Sequence, residues 1–127
     1  MKITGGNNKQ REQATIAYNW FASKRGKVPR CTVKLARIDF GFCGFCNPPK
    51  NKKIVIEIDK KMPIDSIVST LFHELIHAEQ FTSKMLQVKG NKFFWKGKQT
   101  NLPYSRQPWE RQAYRLQNKL MQEYLND

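Results

Sequence analysis

The strongest constraint on the fold is one apolar stripe that also carries both histidines of the chain. Ile64, Ile67, Val68, Leu71, Leu75 and Ala78 recur at spacings of three and four after Pro63, which predicts an amphipathic helix running to about Lys84. Pro63 is read as its first helical residue, a position where proline is well tolerated. His73 and His77 stand one turn apart in this segment. A helix of this kind must bury its stripe against other elements. In doing so it holds both imidazoles on one side, where they can reach a common point.

The remaining pattern supplies partners for that stripe. Residues 8–25 read as a helix through Ala14, Ile16, Ala17, Trp20 and Phe21, with Gly26 placed to end it and Lys24 and Arg25 in the last turn. Cys31 to Phe40 is strand-like and continues through Gly41 to Cys46, before the breaker Asn47-Pro48-Pro49-Lys50-Asn51. Ile54, Ile56 and Ile58 then alternate with Val55, Glu57 and Asp59, as in a strand with one buried face. Leu86–Val88 and Phe93–Trp95 flank a turn at Lys89-Gly90-Asn91-Lys92. A last helix starts at Pro108 and carries Trp109, Ala113, Leu116, Leu120 and Tyr124 on one face. The expected architecture is a single α+β domain over residues 1–127: a small sheet packed on an N-terminal helix, the histidine helix and a C-terminal helix.

The run His73-Glu74-Leu75-Ile76-His77 carries the chemistry. Two imidazoles at i and i+4 suit zinc, one ion per chain, and leave room for an open coordination position. Glu74, beside the first ligand, is placed to take a proton from water and return it to a leaving group, as a general base does. Chance alone gives such a motif in a chain this long on the order of a few times in a thousand, so the alternative of two unrelated histidines is set aside. No histidine is left for a third ligand. Asp65 lies two turns earlier and Glu79 points off the histidine face, whereas Glu110 sits in the first turn of the last helix beside Trp109 and Ala113. There the helix terminus stabilises a carboxylate; complementing that dipole is also its alternative duty. Tyr104, Tyr114 and Arg111 are the candidates for contacting a developing oxyanion or the substrate, each with an ordinary packing or surface role as the alternative.

The element order, the isoleucine-rich strand before the HExxH helix, and the downstream Trp95-Lys96-Gly97-Lys98 resemble the SprT-like zinc metallopeptidases. The run Pro108-Trp109-Glu110-Arg111-Gln112-Ala113-Tyr114 is similar to that of the gluzincins, especially the single-domain minigluzincins. SprT and Spartan proteins use a further histidine beyond the motif, which this chain lacks. The resemblance spans roughly Phe40 to Tyr114. It implies a zincin-like fold, zinc on His73, His77 and Glu110, and Glu74 as base. It also implies a cleft bordered by the strand Ile54–Asp59, along which a protein or peptide substrate would lie extended.

Cys43 and Cys46 have C-x-x-C spacing, with Cys31 upstream. They are read as reduced strand cysteines, with redox chemistry or a second metal site as alternatives. Phe42, Phe45, Phe93, Phe94 and Trp95, set among lysines and glycines, are read as core residues, with base stacking as the alternative. The formal charge is +13, and residues 1–61 hold fourteen basic and four acidic side chains. That field attracts nucleic acid or an acidic protein, with a solvated lysine-rich surface kept soluble by self-repulsion as the alternative. An odd number of cysteines, no signal-like N-terminus and no apolar run long enough for a bilayer lead to the expectation of a reducing, cytoplasmic setting without membrane contact. Two function classes follow. One is a zinc metalloendopeptidase, with nucleic-acid-associated proteins among its candidate substrates. The other is a non-catalytic, zinc-containing basic module that binds nucleic acid or forms part of a larger assembly such as a virion. Latency is a third possibility, in which the short segment after the last helix turn or the 96–107 loop covers the cleft.

Overall fold

The isoleucine face of Ile54–Asp59 organises the molecule. Ile54, Ile56 and Ile58 are buried, the last two completely, and the helices pack on them. The computed structural model describes residues 2–26, 30–39 and 41–127. In chain order its elements are β1 (Lys2–Gly5), α1 (Asn8–Arg25), β2 (Cys31–Ala36), β3 (Gly44–Cys46), β4 (Ile54–Asp59), α2 (Ile64–Thr82), β5 (Leu86–Lys89), β6 (Lys92–Trp95), β7 (Lys98–Thr100), a 3-10 turn at Tyr104–Arg106, and α3 (Pro108–Asn126). This is an α+β arrangement with three helices and two small sheets among the described residues.

The first sheet has the order β1-β2-β4-β3. β1, β2 and β4 run parallel, and β3 returns antiparallel along the far side of β4. α1 joins β1 to β2 and starts with a capping box: the Asn7 side chain accepts from Gln10 N–H, and the Gln10 side chain accepts from Asn7 N–H. Gly26, at φ +78°, closes the helix as expected. Phe21 of α1 stacks on Phe72 of α2 at 5.9 Å, and Leu71, Leu75 and Ile76 fill the space toward the sheet. α3 covers the other side of α2, with Ala113 and Leu120 in the shared core. No described helix is long and apolar enough to cross a membrane.

The structure departs from the sequence reading in its strands and at the start of α2. The strand expected over Cys31–Phe40 and on to Cys46 is two strands on opposite sides of β4. β2 ends at Ala36, and the chain turns through Gly41 at φ +77° before β3; Phe40 lies outside the described residues, as do Val28 and Pro29. β1 was not foreseen; it pairs with β2 over only four residues, too few to show a period. Gly5 ends it at φ +77°, where a Cβ would lie 2.1 Å from Leu35 O, so only glycine fits. β7 was likewise missed, and Pro63 precedes α2 rather than opening it.

The aromatics expected in the core are not there. Phe42, Phe45 and Phe93 are exposed, and Phe94 and Trp95 are half-buried. Aliphatic side chains with Phe21 and Phe72 already fill the interior. The second sheet, β5-β6-β7, instead rests on the start of α3, where Phe93 stacks on Trp109 at 5.4 Å and Trp95 meets the same ring at 6.2 Å.

Ile56 is completely buried on the central strand. Ile56→Ala is expected to cost about 2–5 kcal/mol in denaturant unfolding. A loss below about 1 kcal/mol would contradict close packing under α2.

Candidate metal centre

The i, i+4 spacing on α2 brings His73 and His77 side by side, each 6% exposed, with their Nε2 atoms 3.2 Å apart. α3 crosses so that Glu110, in its first turn, reaches both. Its Oε1 lies 2.9 Å from His73 Nε2 and 3.1 Å from His77 Nε2. These three are the one group of three or more His, Cys, Asp or Glu side chains among the described residues that could hold a metal ion.

The outer side of each ring decides what the inner side can do. His77 Nδ1 lies 2.8 Å from Gln80 Oε1, while Gln80 Nε2 donates to Trp109 O at 3.0 Å and to Gln112 Oε1 at 2.8 Å. A backbone carbonyl only accepts, so the Gln80 amide cannot be turned round, and Nδ1 of His77 must be the donor. A neutral His77 therefore presents a lone pair at Nε2. His73 Nδ1 meets Gln117 Oε1 at 2.9 Å, and Gln117 Nε2 donates to Ser69 Oγ at 2.6 Å. With both amides in this orientation and both rings neutral, two nitrogen lone pairs and a carboxylate oxygen face one another. Only protons or a cation can satisfy that set, and the donors fit a divalent ion such as zinc.

The metal-free charge state follows the same logic. Burial pushes the Glu110 carboxyl up, but hydrogen bonds from His73 and His77 outweigh it and hold the group at about 2. Burial pulls His77 down, yet its hydrogen bond to Glu110 and the nearby carboxylates carry it above its ordinary 6.5. Glu74 is 6% exposed, and burial lifts its carboxyl above 4.5 against the pull of His77 and His73.

Glu74 opens with the triad into a cleft of about 500 Å³. One wall is the segment 41–46; the other carries Tyr104, Tyr114 and Gln117. β3 comes this close because residue 44 is glycine: a Cβ there would meet Glu57 O and Thr70 Cγ2 at 2.8 Å and Glu74 Oε2 at 3.5 Å. The strand bordering the cleft is therefore β3. β4, which the resemblance put there, is paired on both sides, by β2 and β3. Asp59 N–H donates to Cys43 O and Asn47 N–H to Val55 O, so Cys43, Phe45 and Asn47 turn their backbone groups toward β4. By antiparallel alternation, Gly44 and Cys46 turn theirs toward the outer edge, which no strand among the described residues pairs.

Tyr104, from the 3-10 turn within the 96–107 loop, donates its hydroxyl to Glu110 Oε1 at 3.2 Å and lies 3.1 Å from the Tyr114 hydroxyl. Having one proton, Tyr104 gives it to Glu110 and accepts from Tyr114. Burial of its phenol end, with the Tyr114 and Glu110 contacts, pushes its titration above 10, so it stays a donor at neutral pH. The Tyr114 ring also packs on His73 at 4.4 Å. Arg111 is not brought to this place; it is exposed and does not line the cleft. Asp65 and Glu79 are also outside the triad, Glu79 being paired with Arg25 at 2.8 Å.

The three cysteines are free and form no metal-ligating group among the described residues. Cys43 and Cys46 are three positions apart on a segment laddered to β4. Their side chains leave on opposite faces, and an extended spacing of roughly 10 Å is beyond the reach of a disulfide. Burial pushes the Cys46 thiol well above its ordinary 9.0, away from the reactive thiolate. Neither redox pairing nor a second metal is supported by this geometry.

Gln80 and Gln117 were missed by reading the sequence. Gln80 stands three residues after His77, and Gln117 continues the α3 face of Glu110 and Tyr114, so an i, i+3, i+4, i+7 count from the ligands would have found both. Comparison with protein-family models, with curated proteins and with solved structures gives no match to this chain.

Two results are expected. Purified protein should bind close to one zinc per chain, and Gln80→Leu should weaken binding about 10- to 100-fold, because the His77 ring loses its orienting acceptor; unchanged affinity would contradict that role. The second concerns pH. A raised His77 pKa makes its proton stabilise the metal-free fold below 6.5, a contribution lost as pH rises through the folded-state value. Metal needs that imidazole neutral, so the zinc-induced rise in melting temperature should grow as pH climbs through the same range. A pH-independent gain would contradict it.

Proposed function

We propose that the chain is a small zinc-dependent metalloendopeptidase, with a zincin-like fold of SprT-like or minigluzincin type. The observation that carries this reading is the convergence of His73, His77 and Glu110 at the floor of a cleft that also holds the buried Glu74 carboxylate. A zinc ion held by those three groups would polarise a peptide carbonyl and acidify a water in its open position. Glu74 is the group placed to accept the proton of an attacking water and deliver it to the leaving amine. Its burial favours the first half of this duty: a carboxyl lifted above its ordinary range is the stronger base and accepts the proton more readily.

The chain's other groups position the substrate. The free backbone groups of Gly44 and Cys46 suit an extended peptide added as a further strand. Tyr104 and Tyr114 are the donors available on the opposite wall, Tyr104 through a hydroxyl that can turn from Glu110 to a substrate oxygen. Glu74→Gln should fold and bind one zinc per chain, while cleavage of an unstructured protein such as casein falls about 10²- to 10⁴-fold. Undiminished cleavage by that variant would remove Glu74 from the mechanism.

One further feature favours nucleic acid as an additional partner. Between Glu79 and Glu110 the chain has no acidic residue but holds Lys84, Lys89, Lys92, Lys96, Lys98 and Arg106. Several lie on the β5-β6-β7 sheet, where Lys89 sits 5.4 Å over the Phe94 ring. Binding of a single-stranded oligonucleotide should weaken steeply with salt, and Lys92→Ala should lower the slope of log affinity against log salt by about one. A flat salt response would exclude this partner.

A further inference from the structure

Large aromatic side chains left in water beside a cleft call for an explanation, because the core is filled without them. Phe42 and Phe45 are 54% and 37% exposed, and their rings pack on each other at 5.0 Å with a 45° tilt. Both line the cleft that holds the triad. Their placement follows from β3. Gly44 faces α2, where its missing Cβ lets the strand approach Thr70 and Glu74, and Cys46 packs against the core. Phe45, one position from each, stands on the opposite face of the strand, and the Phe42 ring packs on it from the residues before β3.

We propose that the Phe42–Phe45 pair is a specificity subsite, selecting extended peptides that carry a large aromatic or aliphatic side chain. The proposal rests on the peptidase reading and names the substrate that reading leaves open. A peptide strand on the free edge of β3 pairs with the backbone of Gly44 and Cys46 and projects alternate side chains to the two faces of the sheet. Those on one face enter the cleft interior beside Glu74. Those on the other stand across the strand from Phe45, at the separation where aromatic and β-branched cross-strand pairs stabilise a sheet. The ring pair presents two tilted surfaces to such a side chain, so an aromatic ring gains an offset or edge contact as well as burial. Alanine in that position leaves both rings wet, and a charged residue faces them without a partner.

The test separates this subsite from the hydrolysis. A blocked alanine-rich hexapeptide with one central phenylalanine, and its all-alanine counterpart, are titrated into metal-free protein and followed by two-dimensional NMR. The phenylalanine peptide should bind about tenfold tighter and shift the Gly44–Cys46 amides. In a Phe42→Ala/Phe45→Ala variant of unchanged melting temperature that preference should disappear. Equal affinities for the two peptides, no binding of either, or a preference that survives in the variant would overturn the subsite. Cleavage of the same peptides by zinc-loaded protein is read separately. If the aromatic preference in binding holds and no peptide is cut, the subsite stands and the peptidase reading falls. If both are cut at the same rate, the subsite falls and the peptidase reading stands.

Discussion

Three acceptors that cannot satisfy one another meet where α2 crosses α3. The amide of Gln80, fixed by the Trp109 carbonyl, obliges His77 to spend its only neutral-state proton on the outer side of the ring. Gln117, donating to Ser69 Oγ, presents its amide oxygen to the outer side of His73. The inner nitrogens are then left as lone pairs 3.2 Å apart, against a carboxylate oxygen about as close to each. In water such groups would separate. Here the buried stripe of α2 and the packing of Ala113 and Leu120 hold them together, so the fold itself maintains a cation-seeking site.

The rest of the cleft is arranged around that point. Residue 44, being glycine, admits β3 to within contact of Thr70 and Glu74, and β3 ends its sheet among the described strands. The 3-10 turn brings Tyr104 onto Glu110, where the phenol stays a donor because burial and its two partners oppose ionisation. The β5-β6-β7 sheet leans on Trp109, the residue before Glu110, and so buttresses the helix start from which Glu110 projects. The β3 segment, the Glu74 carboxyl and the His73, His77 and Glu110 group thus lie within one opening, and the aromatic pair of the 41–46 segment lies at the same opening.

Much of this was legible in the sequence, for physical reasons. The stripe of α2, the alternation of Ile54–Ile58 and the cap at Gly26 are local patterns whose period survives folding. The i, i+4 histidines needed only helix geometry to be paired. Glu110 was reachable because a first-turn carboxylate beside Trp109 and Ala113 must point partly inward. Illegible were features set by tertiary approach. β1 is too short to display a period, and the reversal before β3 depends on the ladder to β4. The exposure of Phe42, Phe45 and Phe93 follows from how full the core already is, which no local window records. Arg111 shares a helix with Glu110 but points away from the cleft, which its place in the sequence did not reveal. The glutamines behind the histidines carry no motif, although helical counting from the ligands leads to them.

The most direct test of the account is X-ray absorption at the zinc edge on protein loaded with one equivalent of metal. The account predicts a first shell of nitrogen and oxygen only, at about 2.0–2.2 Å, with the outer-shell signature of two imidazoles. It predicts that this signature loses one light scatterer or vanishes in Glu110→Ala. A sulfur shell at about 2.3 Å, a single imidazole, or a spectrum unchanged by Glu110→Ala would contradict a centre built from His73, His77 and Glu110.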